Sequence, residues 1–307
     1  MKHGKKIILL AGPTASGKSR LAVKLAKHFN GEIINADSMQ IYKEISILTS
    51  RPNLEDTKVV KHHLYGFNSV KEKFSTGHWL KMAVRQIKEQ WKNEKLPIVV
   101  GGTGLYFKAL TDGLVTIPDI PNRVRLQTRK LHEKAGQKKF FNQLIKLDPL
   151  AKISVLPTDS QRSMRAYEVK KFTGKSLFEF TKETKSKFDN NIFRKIFINI
   201  PREPLNKQIE HRVEKMFHEG VLDEVKKFIN IKIDKELSPN KIIGVREIED
   251  YLDGKTTLIN AKQLIIQKTR QYAKRQFTWA RGHMKSWNMI YCTNINDLFK
   301  KTINKIS

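Results

Sequence analysis

Eight consecutive residues, Gly12-Pro13-Thr14-Ala15-Ser16-Gly17-Lys18-Ser19, hold the most legible chemistry in this chain. The spacing Gly-x4-Gly-Lys-Ser lets main-chain N–H groups turn toward a di- or triphosphate, and a helix start adds positive dipole. Lys18 in such a loop reaches the terminal phosphates, and Ser19 holds a Mg²⁺ ion. The pattern works only between a buried strand and a helix. Before it, Ile7-Ile8-Leu9-Leu10-Ala11 is too short for a globular helix and suits a parallel strand. After it, Leu21, Ala22, Leu25, Ala26 and Phe29 recur at helical spacing. A phosphate site follows, with the identity of the phosphate open.

The next residues able to do chemistry stand at the ends of further strands. Glu32-Ile33-Ile34-Asn35-Ala36-Asp37 reads as a short strand ending in a carboxylate, followed by the loop Ser38-Met39-Gln40-Ile41-Tyr42. Open α/β sheets place ligands beyond the carboxyl ends of their strands, so Asp37 is expected near the phosphate loop. His62 and His63 are adjacent and diverge on any regular element, which argues against metal ligation. Leu96 to Val100 is a third strand, running into Gly101-Gly102-Thr103-Gly104. A phosphate-loop hydrolase usually carries an aspartate there to organise Mg²⁺ and water. Glycines suit close approach of backbone to a bulky ligand instead.

Helices fill the intervals. Residues 76–93 form one, with Trp79, Met82, Ala83, Ile87 and Trp91 as its buried stripe. From about 115 to 191 the pattern is helical and basic, and Thr158 or Asp159 can cap a helix that carries Arg162 and Arg165. Strand character returns at Lys195 to Ile200 and at Met289 to Cys292, with helices at 209–217 and 223–229 between them. The economical fold is α/β: a parallel-sheet core of the P-loop NTPase type with a mainly helical insertion. Its core spans 1–115 and 192–307, and the insertion spans 116–191.

Composition narrows the partners. Lys and Arg number 59 against 30 Asp and Glu, a formal net charge of +29. The excess is clustered. Eight basic residues and no acid lie between Gly254 and Asn296, and eight basic residues with one acid, Glu133, lie between Ile120 and Leu147. Solvated helices normally mix signs, so two blocks of one sign point to a polyanion, foremost nucleic acid. Within the first block, residues 269–281 interleave basic and aromatic side chains, which suits phosphate gripping and base stacking or, equally, core packing. The single cysteine, Cys292, excludes intramolecular disulfides and cysteine-based zinc sites. No apolar run is long enough to span a membrane, and the five apolar residues after Met1-Lys2-His3-Gly4-Lys5-Lys6 are too few for a signal peptide. A cytoplasmic protein is expected.

Taken together, GPTASGKS (12–19), NADSMQIY (35–42), HHL (62–64), PIVVGGTGLYFKAL (97–110), DSQRSMRAYEV (159–169), IEHRVEKMFHEGVLDEV (209–225) and TRQYAKRQFTWAR (269–281) resemble the tRNA dimethylallyltransferases, or tRNA isopentenyltransferases. The order matches over nearly the whole chain. Ile243-Gly244-Val245 departs from the family's usual IGY, and the resemblance is to the bacterial type without a zinc finger. It implies transfer of a dimethylallyl group from its diphosphate to N6 of the adenosine 3′ of the anticodon. The loop Gly12, Pro13, Thr14, Ala15, Ser16, Gly17, Lys18 and Ser19 would then grip a prenyl diphosphate, with Mg²⁺ on Ser19. By similarity Asp37 takes the N6 proton and Thr103 hydrogen-bonds near the reacting centre, with Lys18 supporting the leaving group. Ser38, Met39, Gln40, Arg125, Gln161, Arg162, Ser163, Met164 and Arg165 are implied tRNA contacts. A monomer that binds the anticodon stem-loop and no membrane is expected. An ATP-dependent nucleoside or nucleotide kinase, prenyl transfer to free adenine nucleotides, and a non-enzymatic RNA-binding protein are the rival readings.

Overall fold

The computed structural model describes residues 5–182, 184–234, 237–292 and 295–306. Met1 to Gly4, the first residues of the stretch read as too short for a signal peptide, lie outside them. The chain runs β1 (Ile7–Ala11), α1 (Lys18–His28), β2 (Gly31–Asn35), α2 (Leu54–Val59), β3 (His62–His63), α3 (Thr76–Lys92), β4 (Leu96–Gly101) and α4 (Gly104–Thr111). Then come α5 (Asn122–Leu147), α6 (Ala151–Ser154), α7 (Ser160–Thr173) and α8 (Leu177–Lys182). It continues through β5 (Phe193–Asn199), α9 (Arg202–His218), α10 (Val221–Asn230), α11 (Val245–Leu252), α12 (Leu258–His283), β6 (Asn288–Tyr291) and α13 (Ile295–Ile306).

The six strands form one parallel sheet in the order β3-β2-β4-β1-β5-β6. Side chains alternate between its faces with the period of two that a strand dictates. Ile8, Leu10, Ile33, Ile98 and Ile196 pack on Leu21 and Leu25 of α1. Ile7, Leu9, Ile34, Val99 and Phe197 pack on Trp79, Ala83 and Ile87 of α3 and on Phe107 of α4. Both faces of β1 are therefore dry, which is why its sequence is an unbroken apolar run. Met82 and Trp91, expected inside the stripe of α3, are only partly buried, and Gln90 is buried instead. A third cluster joins Ile41, Leu48, Val213, Met216, Ile242 and Ile265 beside the strand ends. β2 stops at Asn35, two residues short of the sequence reading. The Asn35 side chain accepts from Asp37 N at 2.8 Å and donates to Asp37 O at 2.9 Å, turning the chain locally instead of extending the ladder.

Two compact units divide the chain: residues 1–111 with 188–307, and residues 112–187. The sequence reading had placed these boundaries at 115/116 and 191/192. α4 ends at Thr111, and Phe188 packs edge-on against Trp91 and Phe193 in the sheet unit. The second unit is all helix among the described residues, with Phe141, Leu144, Ala151, Val155 and Ala166 as its core. α5 is kinked at Gly136 (φ 71°). No helix among the described residues is long and apolar enough to cross a membrane.

Candidate active site

The phosphate loop leaves β1 at the carboxyl edge of the sheet. Ala15 and Gly17 take left-handed φ values of 61° and 75°, which turns successive main-chain N–H groups to one side as an anion nest. Glycine meets that demand at Gly17 without strain; Ala15 meets it with strain. A cleft of about 1570 Å³ opens over this loop. Thr14 to Arg20, Asp37, Gln40, Arg51, Tyr65, Lys207 and Arg212 are among its walls, all from the sheet unit.

Lys18 stands half-buried in that wall, its Nζ donating to Pro13 O at 3.0 Å. Desolvation holds its ammonium down to about 8, with Asp37 pulling it back up and Arg212 pushing it lower. Arg212 of α9 donates from Nη1 to Thr14 Oγ1 at 2.6 Å, so a second cation borders the loop. Its burial lowers its pKa from the arginine value, and the Asp37 charge opposes that. Ser19 is exposed to the cleft.

Asp37 is placed by a short relay of hydrogen bonds. Trp79, fully buried on α3, donates its indole N–H to Asn35 O at 2.7 Å, and the Asn35 side chain fixes Asp37. Asp37 Oδ1 accepts from Met39 N at 2.9 Å. Across from it, Thr103 N donates to Ala36 O at 3.1 Å, and Thr103 Oγ1 accepts from Ser38 N at 3.0 Å. Burial first, and the Asp37 charge second, push the phenols of Tyr65, Tyr106 and Tyr272 well above the tyrosine range. The Asp37 carboxylate thus faces neutral phenols and two cations.

A second cavity, of about 190 Å³, meets the cleft at Thr14, Asp37, Thr49, Arg212 and Met216. Its other walls include Met39, Leu48, Ile242, Ile265, Tyr272 and Arg275. The loop that carries Leu48 and Thr49 is pinned by Glu224 of α10. Its carboxylate accepts from Ser46 N (2.6 Å), Ser46 Oγ (2.9 Å), Ile47 N (2.8 Å) and Leu48 N (2.8 Å).

A phosphate nest, paired cations and a carboxylate shared by two cavities constrain the chemistry; similarity then settles the family. Residues 40–283 match the family model described as IPP transferase. A tRNA dimethylallyltransferase of Pelagibacter ubique is 50% identical over 301 residues, covering 98% of this chain and 96% of that one. The chain belongs to the IPP transferase family. A second relative, the tRNA dimethylallyltransferase of Rickettsia canadensis, is 44% identical over 302 residues, covering 96% and 93% of the two chains. Among solved structures, the tRNA isopentenylpyrophosphate transferase of Bacillus halodurans superposes with a TM-score of 0.69 at 31% identity, covering 99% of this chain and 97% of the other. A eukaryotic dimethylallyltransferase acting on tRNA gives 0.83 at 30% identity, covering 95% of this chain and 75% of the other. The fold is the P-loop type expected for this IPP transferase family member.

The structure sorts the remaining sequence candidates. Ser38, Met39, Gln40 and Thr103 gather around Asp37, but the Gln40 amide nitrogen is already spent on Thr49 O and Ser50 O at 2.9 and 3.0 Å. Arg125, Gln161, Arg162, Ser163, Met164 and Arg165 belong to the helical unit. Asp159 caps α7 by accepting from Arg162 N at 3.0 Å. Gln161 and Arg162 are exposed, while Arg125, Met164 and Arg165 are half-buried. Ser163 is fully buried; it donates to Asp159 O at 2.6 Å and accepts from Gln137, so it links α7 to α5. His63 sits 2.6 Å from Glu32 and His62 on Val60 O at 2.7 Å, both half-buried at the edge strand.

The block from Gly254 to Asn296, most of it α12, is acid-free only along the chain. Lys262, Lys268 and Arg270 pair with Glu214, Glu247 and Glu210, and Lys255 pairs with Asp253. Lys274, Arg275 and Arg281 are exposed, and Arg275 lies over the Tyr272 ring. Phe277 packs in the core on Phe197, and Trp279 stacks on His283. Arg212 and Gln276 were not singled out from the sequence, although both lie inside the matching segments 209–225 and 269–281.

Proposed function

We propose that this IPP transferase family member moves a dimethylallyl group from dimethylallyl diphosphate to N6 of the adenosine 3′ of the anticodon in tRNA. The observation that carries the reading is Asp37, shared by two cavities, one floored by the phosphate loop and one walled by Tyr272 and apolar side chains. The donor diphosphate lies on the loop, and the flipped-out adenine enters the smaller cavity. An anticodon loop releases a base more cheaply than a duplex does. N6 is a weak nucleophile because its lone pair is delocalised into the ring. The reaction therefore leans on departure of the diphosphate. The N6 lone pair forms the C–N bond as the C1–O bond breaks, and that electron pair leaves with the diphosphate. Lys18, Arg212 and the loop N–H groups meet the developing negative charge. Asp37 accepts the N6 proton while Thr103, held on Ser38, steadies the acceptor side.

Mg²⁺ fits as the metal. Among the described residues no three His, Cys, Asp or Glu side chains cluster to cage one. An exposed Ser19 hydroxyl beside diphosphate oxygens and water is the donor set Mg²⁺ accepts. When bound there it supplies further neutralisation of the leaving group.

The helical unit, with exposed Arg162, and the exposed Lys274 and Arg281 of α12 supply phosphate contacts to the tRNA. The test is incubation of labelled dimethylallyl diphosphate with an unmodified anticodon stem-loop, with free AMP as competing acceptor and ATP plus nucleoside as a separate arm. Label is expected on the stem-loop adenosine. Label on AMP alone, or phosphoryl transfer from ATP, overturns the assignment.

A further inference from the structure

Gln276 of α12 is 8% exposed, and its carboxamide bridges two loops that do not belong to its own helix. Oε1 accepts from Thr14 N at 2.8 Å, and Nε2 donates to Gly102 O at 3.0 Å. A Cβ on residue 102 would collide with the Gln276 amide nitrogen, so glycine there is what lets the amide seat. One partner is a pure donor and the other a pure acceptor, which fixes the amide's orientation. Thr14 belongs to the phosphate loop, and its hydroxyl accepts from Arg212. Gly102 immediately precedes Thr103, the partner of Ser38 beside Asp37. One side chain thus ties the donor half of the site to the acceptor half.

We infer that Gln276 is a positioning residue for the transfer step, holding the phosphate loop and the Thr103 turn at the offset that lines up leaving oxygen, donor carbon and acceptor nitrogen. The inference rests on the prenyl-transfer reading. Loss of the clasp lets the donor carbon meet water in place of N6. The C1–O bond to diphosphate breaks, a new C1–O bond forms to water, and water's proton is lost, giving dimethylallyl alcohol and diphosphate.

Two substitutions test it. Gln276→Met keeps length without the hydrogen bonds; Gln276→Glu keeps the acceptor for Thr14 N and loses the donor to Gly102 O. Each is assayed in single turnover with dimethylallyl diphosphate and an unmodified anticodon stem-loop, with alcohol release, substrate affinities and thermal melting measured in parallel. Gln276→Met is expected to slow transfer by about 10- to 100-fold. The ratio of alcohol to transferred label rises, and both substrate affinities stay within about threefold. The deficit of Gln276→Glu relative to wild type shrinks as pH falls, because a protonated carboxyl again donates to Gly102 O. A folded Gln276→Met variant with wild-type rate and partition overturns the clasp alone. So does a loss that only tracks melting, with the Gln276→Glu deficit flat in pH. A wild-type chain that transfers nothing to the stem-loop overturns the transfer reading, and this role with it.

Discussion

Lys18 carries a charge that its surroundings oppose. Burial brings its ammonium down to about 8, so in the free protein the cation is present below that pH and lost as pH rises through it. Since kcat/KM reports groups of the free enzyme, kcat/KM for the donor should fall above pH about 8. Lys18→Arg should carry that limb to higher pH, and a pH–rate series on both proteins checks it. Lys18→Ala should lose roughly 10²–10³ in rate with tRNA affinity intact. Asp37 separates by a different substitution. Asparagine keeps its size and its acceptor for Met39 N but takes no proton. Asp37→Asn should slow single-turnover transfer by about 10²–10⁴ with little change in binding. Rescue by added Mg²⁺, or a smaller loss, would reassign Asp37 to support of the metal.

At the scale of elements, α9, α10 and α12 each send a polar side chain onto the loops that build the site. Arg212, Glu224 and Gln276 all end on main-chain or hydroxyl groups of loops at the strand ends. Glu224→Ala strands three main-chain N–H groups and the Ser46 hydroxyl. A stability loss of about 2–3 kcal/mol by denaturant unfolding is expected. Because the freed loop also walls both cavities, catalysis should weaken more than the melting curve alone predicts. Glu224→Gln, which keeps an acceptor, should recover part of each. On α12, opposite consequences are expected along one helix. Lys268→Glu would face the 4%-exposed Glu247 and unsettle the fold, a change seen in thermal melting, whereas reversal of Lys274 leaves melting nearly unchanged.

For the molecule as a whole, a net charge of +29 makes association with tRNA a matter of counterion release. Binding should weaken steeply with salt. Reversing Arg162 with Arg165, or Lys274 with Arg275, should reduce the slope of log K against log salt by about 1–2. The ion pair of Arg162 with Asp159, at 3.5 Å and exposed, is too weak to withhold that guanidinium group from phosphate, whereas Arg165 sits 3.5 Å from the buried Glu168. Transfer to a saturating stem-loop should suffer less than binding does. Unchanged affinity and slope in a filter-binding titration would make these basic faces ordinary solvated surface.

Short-range physics made much of this protein readable from its residues. Ile7 to Ala11, the glycines of the phosphate loop and the stripe after Lys18 encode strand, nest and helix through contacts a few residues long. Asp37 was placed correctly beside the loop because parallel sheets gather their strand ends. The family resemblance covered both matching segments, 209–225 and 269–281, without saying what their polar residues touch. That was decided only by tertiary structure: Arg212 meets Thr14 across 198 residues, and Gln276 meets it across 262. The same limit hides charge pairing and burial. Glu210, Glu214 and Glu247 neutralise part of a block that looks purely basic in one dimension. Ser163, polar and set among arginines, turns inward onto Gln137 because helix packing, not composition, selects which face of α7 is dry.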